Sequence, residues 1–299
     1  MAARSLVICT LLAASVLTAF VPERRQSAIS AAQIASYKPY SYYAATAYCT
    51  PAVTLSWSCG SNCDANSGFK PVASGGDGSS VPYWFVGYDS SLNRAIVTHS
   101  GTNTSSVSWL SDINVFLGSL DSNRFPGIDG SIEVHDGFAN AQASSAEDIL
   151  SAVNQVISTF GATSVTVIGH SLGAAIAQIE AVYLSLHLSS DISINIVGYG
   201  MPRVGNQAWA DYVDATQNVV RINNKEDPVP IVPGRFLGYH HSSGEVHILD
   251  SGDWYACPGQ DNTSDLCSTG DVPNIFQSNE SNHDGPYDGV MLGRAACVL

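Results

Sequence analysis

The chain is poor in positive charge. Lysine and arginine together number 12 against 26 aspartates and glutamates in 299 residues, a formal net charge of −14 at pH 7. Such a balance repels phosphate backbones and anionic lipid surfaces unless cations gather locally. No local basic patch occurs, so no nucleic-acid partner is expected. Long apolar runs are also scarce. The longest, from Leu6 to Phe20, is about 15 residues, short of the roughly 20 that span a bilayer, so no transmembrane segment is expected. There is no Pro/Ser-rich linker, charge block or internal repeat to divide the chain. A zinc-type cysteine and histidine set is missing too: Cys59 and Cys63 have a possible ligand spacing, but no second close pair completes a tetrahedron. Neither a metal nor another cofactor is expected.

What the chain does have begins with its first residues. Arg4, the apolar stretch that follows and the small residues near its end have the layout of a secretory signal peptide, over residues 1–20. Residues 21–25 are then a possible propeptide ending at the dibasic pair Arg24-Arg25, which leaves 26–299 as one domain. Removing residues 1–25 takes away Arg4, Arg24, Arg25 and Glu23 and leaves 9 basic against 25 acidic residues, a net charge of −16. Cys9 leaves as well, so six cysteines remain: Cys49, Cys59, Cys63, Cys257, Cys267 and Cys297. An even number in a secreted chain argues for three disulfides, with connectivity left open by the sequence. Sequons at Asn103, Asn262 and Asn279 are glycosylation acceptors that agree with secretion.

Residues 30–48 read as a helix and "CGSNCDANSGFKPVASGGDGSS" as a loop, by its Gly, Asn and Ser content. "PYWFVGYD" and "RAIVTHSG", separated by "SSLN", read as a hairpin. "SAEDILSAVNQVISTF" repeats apolar residues at helical spacing and stops at Gly161. Strands "SVTVIG", "INIVGYG" and "NVVRIN" then alternate with helices "LGAAIAQIEAVYLSLHL" and "GNQAWADYVDAT". That alternation predicts an α/β fold, a mainly parallel sheet covered on both faces.

Within it, Gly169-His170-Ser171-Leu172-Gly173 joins a strand to a helix and fits the G-x-S-x-G nucleophile elbow. A sharp turn places Ser171 in a strained conformation, glycines two before and two after let strand and helix cross closely, and the Leu172 amide points into the same space. The plain alternative is a tight turn with an inert serine. A serine hydroxyl needs a base, and the base an orienting carboxylate, here expected in the order Ser, Asp, His. Asp227 in "NKEDPVP" is the acid candidate, because it lies just past a strand and Pro228 biases it toward an extended conformation; Glu226 is its neighbour and rival. Asp211 and Asp214 fall on a helix, Asp250 and Asp253 in a later turn. Among the histidines, His187 falls in a helix, His247 in the strand-like "EVHIL", and His240 and His241 before a turn, whereas His283 occupies "SNHDGPYDG", a loop after the last predicted strand. His283 is the base candidate; a surface histidine is the alternative. Gly101 and Thr102 in "IVTHSGTNTSS" offer a second oxyanion donor beside Leu172, or else a polar turn. Val107, Trp109, Leu110, Ile113 and Phe116 then place an apolar side on a short segment, either core or a lid that opens against a lipid–water interface.

Taken together, "YYAATAYC", "GTNTSSVSWLSDI", "VHDGF", "VTVIGHSLGAAIA", "YGMPRVGN", "RINNKEDPVP", "GYHHSSGEVHI" and "NHDGPYDG" resemble the filamentous fungal class 3 lipases of the Rhizomucor and Thermomyces type, in their basidiomycete lipase and feruloyl esterase branch. The resemblance implies an α/β-hydrolase fold with a short helical lid, Ser171 as nucleophile, Asp227 as orienting acid, His283 as base, and Thr102 with Leu172 as oxyanion hole. It implies disulfides Cys49–Cys297, Cys59–Cys63 and Cys257–Cys267, and makes His135 and His241 structural neighbours of the site. One departure is Ser100-Gly101-Thr102, where the family often has Arg-Gly-Ser or Arg-Gly-Thr; another is one extra residue between Thr102 and Trp109. The expected function is a secreted carboxylic ester hydrolase, first a triacylglycerol lipase, alternatively a feruloyl esterase, and remotely a secreted binding module without activity.

Overall fold

A computed structural model describes residues 26–102 and 115–297. The expected signal peptide and propeptide, the sequon at Asn103 and the lid residues Val107, Trp109, Leu110 and Ile113 lie outside them. In chain order the strands are β1 (Ser27–Ala28), β2 (Phe69–Gly75), β3 (Trp84–Asp89), β4 (Arg94–His99), β5 (Leu117–Ser119), β6 (Glu133–His135) and β7 (Ser164–His170). They continue with β8 (Ser193–Tyr199), β9 (Gly205–Asn206), β10 (Asn218–Asn224), β11 (Tyr239–His240), β12 (Glu245–Ile248) and β13 (Trp254–Cys257). Nine of them form one sheet in the order β1-β13-β12-β10-β8-β7-β4-β3-β2. Its centre, β4 to β12, pairs in parallel, and the flanking hairpins at both edges are antiparallel.

The central strands are rich in Val and Ile because both of their faces are buried. Val97, Val165, Val167 and Ile196 pack toward one face, with residues of helices Asp136–Ala143, Ala146–Phe160, Leu172–His187 and Gln207–Thr216. Ile96, Ile168, Val197 and Ile222 point to the other face, which helix Ala31–Thr46 covers with Tyr43, Ala44 and Ala45. Helix Ala146–Phe160 buries Ile149, Ala152, Val153 and Val156 and ends at Gly161, whose φ is +68°. Helix Leu172–His187 differs, with every residue from Gly173 to Leu184 buried. Its alanines let it lie close to the sheet and beneath its neighbours.

Two expectations are corrected. The stretch Cys59–Ser80 is not all loop: it contains helix Ser61–Ala65 and strand β2. β2 is an edge strand with a bulge between Pro71 and Ala73, and an edge position tolerates the proline and glycines that made the segment read as coil. A second sheet, β11-β9-β6-β5, was not foreseen; its strands are two or three residues long and carry too few positions to show a period. Three disulfides tie the ends of the fold: Cys49–Cys297, Cys59–Cys63 and Cys257–Cys267. The first closes a separation of 248 residues, for which loss of unfolded-chain entropy amounts to roughly 5 kcal/mol.

One buried group works against stability at alkaline pH. Glu180, in the middle of the buried helix, accepts a hydrogen bond from Gln142 Nε2 at 2.8 Å, while its other oxygen and the Gln142 carbonyl oxygen have no partner among the described residues. Burial pushes its carboxyl up to about 8, opposed by the Gln142 hydrogen bond. A proton on Glu180 would let the carboxyl donate to the idle Gln142 oxygen. Because the folded-state pKa is raised, the stability tied to this proton is intact below about pH 4.5 and is lost as pH rises toward 8, an effect on the order of several kcal/mol. Glu180→Gln removes the titration while keeping an amide that satisfies both sides. The variant is expected to match the wild type in thermal unfolding near pH 4.5 and to unfold at higher temperature from pH 7 upward, with the gain levelling above pH 8.

Candidate active site

Ser171 sits between β7 and helix Leu172–His187 with φ 60° and ψ −130°, a backbone region that costs a non-glycine residue on the order of 1–3 kcal/mol. The surrounding packing enforces it. A Cβ on Gly169 would lie 2.1 Å from the Gly173 carbonyl oxygen, and one on Gly173 would lie 2.2 Å from that of His99. Both glycines are therefore required by close approach of strand and helix, as the motif suggested. The Ser171 amide is held by the Tyr199 carbonyl at 2.9 Å. Leu172 is the first residue of the helix, so its amide has no carbonyl within the helix to bond and lies at the positive end of the dipole.

Asp227 follows β10 after a turn in which Lys225 has φ 51°. One carboxylate oxygen accepts the Val229 amide at 2.8 Å, and the other meets His283 Nδ1 at 2.9 Å. Both side chains are buried. It is Asp227, not Glu226, that makes this contact. Gly200, directly after β8, packs on the pair: a Cβ there would lie 2.9 Å from both Asp227 Oδ2 and His283 Nδ1. Consecutive residues Tyr199 and Gly200 thus hold the serine turn with one carbonyl and the acid–imidazole pair with one Cα, bringing all three to the same carboxyl edge of the sheet. His283 Nε2, on the side of the ring away from Asp227, is buried and has no hydrogen-bond partner among the described residues. Burial disfavours the His283 imidazolium, but the Asp227 charge and hydrogen bond outweigh it, so its pKa lies above the ordinary histidine value.

The Gly101–Thr102 loop closes the other side. A Cβ on Gly101 would lie 3.1 Å from Ser171 Cβ, and Thr102 next to it is half-buried. Behind the serine, the His170 ring lies 4.4 Å from that of His283 and hydrogen-bonds Tyr48 and the His283 backbone. His170, Tyr48 and Tyr287, which also bonds the His283 carbonyl, were missed by sequence reasoning; Tyr48 and His170 are 122 residues apart, and nothing local in either segment signals their contact.

Five other histidines have other partners. His135 caps helix Asp136–Ala143 with Nδ1, and His241 Nε2 bonds the Pro230 carbonyl at 2.7 Å. His187 bonds the Tyr183 carbonyl, His240 lies 3.6 Å from Asp261, and His247 bonds Ser268 and lies 3.3 Å from Asp271. Among the described residues, His170, His283 and Asp284 offer atoms within 4.8 Å that could in principle hold a metal. Both His170 nitrogens and His283 Nδ1 are already in hydrogen bonds, which an ion would have to break. A cavity of about 570 Å³ is lined by Val115, Pro202, Ile231, Val232, Phe236 and Leu237, from segments that follow Gly200 and Asp227 in the chain. Its surroundings are openly apolar, with Phe236 91% and Phe276 93% exposed and Phe116 65% exposed. No helix among the described residues is long and apolar enough to cross a membrane.

Known proteins resemble this chain in sequence and in fold. The family model for class 3 lipases matches residues 96–237, from β4 through the serine turn and Asp227. Two secreted mono- and diacylglycerol lipases of Malassezia globosa are each 33% identical: MDL5 over 68% of this chain, and MDL2 over 71% of this chain and 71% of its own length. The chain spans 65% of MDL5, just under two thirds of that relative. Among solved structures, the native Rhizomucor miehei lipase propeptide complex superposes with a TM-score of 0.74 at 26% identity, covering 91% of this chain and 85% of that one. The resemblance seen in the motifs is thus upheld over the aligned sequence and the fold, and the chain belongs to the class 3 lipase family of α/β hydrolases.

Proposed function

We propose that this chain is a secreted lipase that cleaves acylglycerol esters through an acyl-enzyme on Ser171. The observation that carries the reading is the 2.9 Å contact of Asp227 with His283 Nδ1, on the same sheet edge as the strained Ser171 turn, with the opposite nitrogen of His283 unpartnered among the described residues. In this reading His283 Nε2 takes the Ser171 proton as the hydroxyl attacks the ester carbonyl. The Leu172 and Thr102 amides hold the tetrahedral oxyanion. His283 then protonates the leaving alcohol, and water repeats the sequence on the acyl-enzyme. Asp227 fixes the imidazole tautomer and stabilises its charged form.

Acylglycerols rather than feruloyl esters follow from the names of the Malassezia relatives, both secreted mono- and diacylglycerol lipases. The apolar cavity fits an acyl chain. The segment from Val107 to Phe116 is taken as the lid; exposed Phe116, Phe236 and Phe276 support transient contact of this face with a lipid–water interface. Removal of residues 1–25, a single domain over 26–299 and glycans on Asn103, Asn262 and Asn279 belong to the same proposal.

Ser171→Ala is expected to lower hydrolysis of mono- and diacylglycerols by at least about 10⁴-fold and to abolish labelling by a fluorophosphonate; most of the activity surviving in pure protein refutes the assignment. The acid limb of kcat/KM tests the base. His283 must be neutral to accept a proton, and its pKa is raised, so activity is expected to fall as pH drops through a midpoint above 6.5. Asp227→Asn removes the charge that raises it. In that variant the midpoint should move down and kcat drop by about 10³- to 10⁴-fold.

A further inference from the structure

Tyr48 and His170 are buried polar side chains that the reaction above does not use. His170 Nε2 lies 2.9 Å from the backbone carbonyl oxygen of His283. A carbonyl only accepts, so the ring proton is on Nε2 and the lone pair on Nδ1. The Tyr48 hydroxyl, 2.7 Å from Nδ1, therefore donates to it. The Tyr48 oxygen also packs tightly on Gly101, the residue before Thr102, where a Cβ would lie 2.3 Å from it. The far end is braced as well, because Tyr287 donates a second hydrogen bond to the His283 carbonyl at 3.0 Å. The hydrogen bonds run in one direction, from the Tyr48 hydroxyl packed against Gly101, through the His170 ring, to the His283 carbonyl. Burial, and then the neighbouring His283, hold the His170 pKa well below the ordinary value, so His170 stays neutral while His283 gains and loses its proton.

We propose that Tyr48 and His170 are positioning residues that couple the Gly101–Thr102 loop to the backbone of His283, holding oxyanion donor and base in one fixed relation to Ser171. The inference rests on the assignment of Ser171, His283 and Thr102 made above. A relay of aligned hydrogen bonds strengthens each member, and small displacements of an oxyanion donor or base carry large losses of rate. Its location behind the serine turn lets it act without touching substrate.

The test is a double-mutant cycle with Tyr48→Phe, which removes one hydroxyl, and His170→Asn, whose amide does not reach the His283 carbonyl. Each single variant is expected to lose about tenfold or more in kcat, with KM for a soluble short-chain ester within about twofold and a matching fall in the rate of fluorophosphonate labelling. The double variant should lose no more than the worse single, because either change breaks the same relay. His170→Gln, whose amide still reaches that carbonyl as a donor, should recover most of the loss. Additive losses, unchanged kcat, or His170→Gln as poor as His170→Asn overturns the proposal. In each of those cases an inactive Ser171→Ala keeps the active-site assignment standing, whereas an active Ser171→Ala removes both.

Discussion

The close crossing of β7 and helix Leu172–His187 is the contact on which the rest depends. With the Gly173 carbonyl 2.1 Å from where a Gly169 Cβ would be, and the His99 carbonyl 2.2 Å from that of Gly173, the backbone leaves no room for side chains at either position. Ser171 takes up the remaining curvature at φ 60°. The strain persists because the helix beyond it is buried from Gly173 to Leu184 and the strand before it is paired on both sides. Many apolar contacts therefore fix one awkward residue. The same crossing aims the helix N-terminus at the space above the serine, so a packing requirement and an electrostatic one have a single solution.

The remaining parts converge because parallel strands all end at one edge. β4 delivers Gly101 and Thr102, β8 delivers Gly200, and β10 delivers Asp227, each within a few residues of its strand's last position. Their order in the sheet places β7 between β4 and β8, with β10 next to β8. The serine turn is thus flanked by the Gly101–Thr102 loop on one side and by Asp227 on the other. His283 comes from no strand of this sheet. It reaches the edge on a loop held by Asn224 Nδ2 to the Asn282 carbonyl at 2.8 Å and by the Tyr287 hydroxyl.

This division explains what was legible in the sequence. The turn at Ser171 is local: strand period, glycine spacing and helix formers lie within fourteen residues of one another, so the motif carried its own context. Asp227 was nearly as local, since a strand end and Pro228 mark it. His283 was reached by setting aside histidines that fell on helices, strands or turns. Tyr48 and His170 were not legible, because their meaning lies in contacts with distant residues, and each segment alone reads as an ordinary helix end or motif filler. β2 failed for a related reason. Its Pro71 and Gly75 disfavour a strand locally, and only pairing with β3 overrides them.

The carboxyl edge also concentrates unsatisfied polarity. Thr98 Oγ1, His99 Nε2 and Ser100 Oγ at the end of β4, Asn223 Oδ1 and Asn224 Oδ1 at the end of β10, and His283 Nε2 are all buried without a hydrogen-bond partner among the described residues. Each such atom costs on the order of 1–3 kcal/mol, and an apolar side chain of similar shape avoids the cost. The middle of the same sheet has apolar side chains such as Val97, Val167 and Ile168, although Thr166 and Arg221 are buried there too. The polar groups at the edge run against the direction in which stability alone would drive the sequence. His283 Nε2 shows what the arrangement offers in return, a buried nitrogen already oriented by Asp227 and free to meet a proton donor. In the proposed reaction that nitrogen takes the Ser171 proton, and a rigid frame spares it reorganisation at that moment.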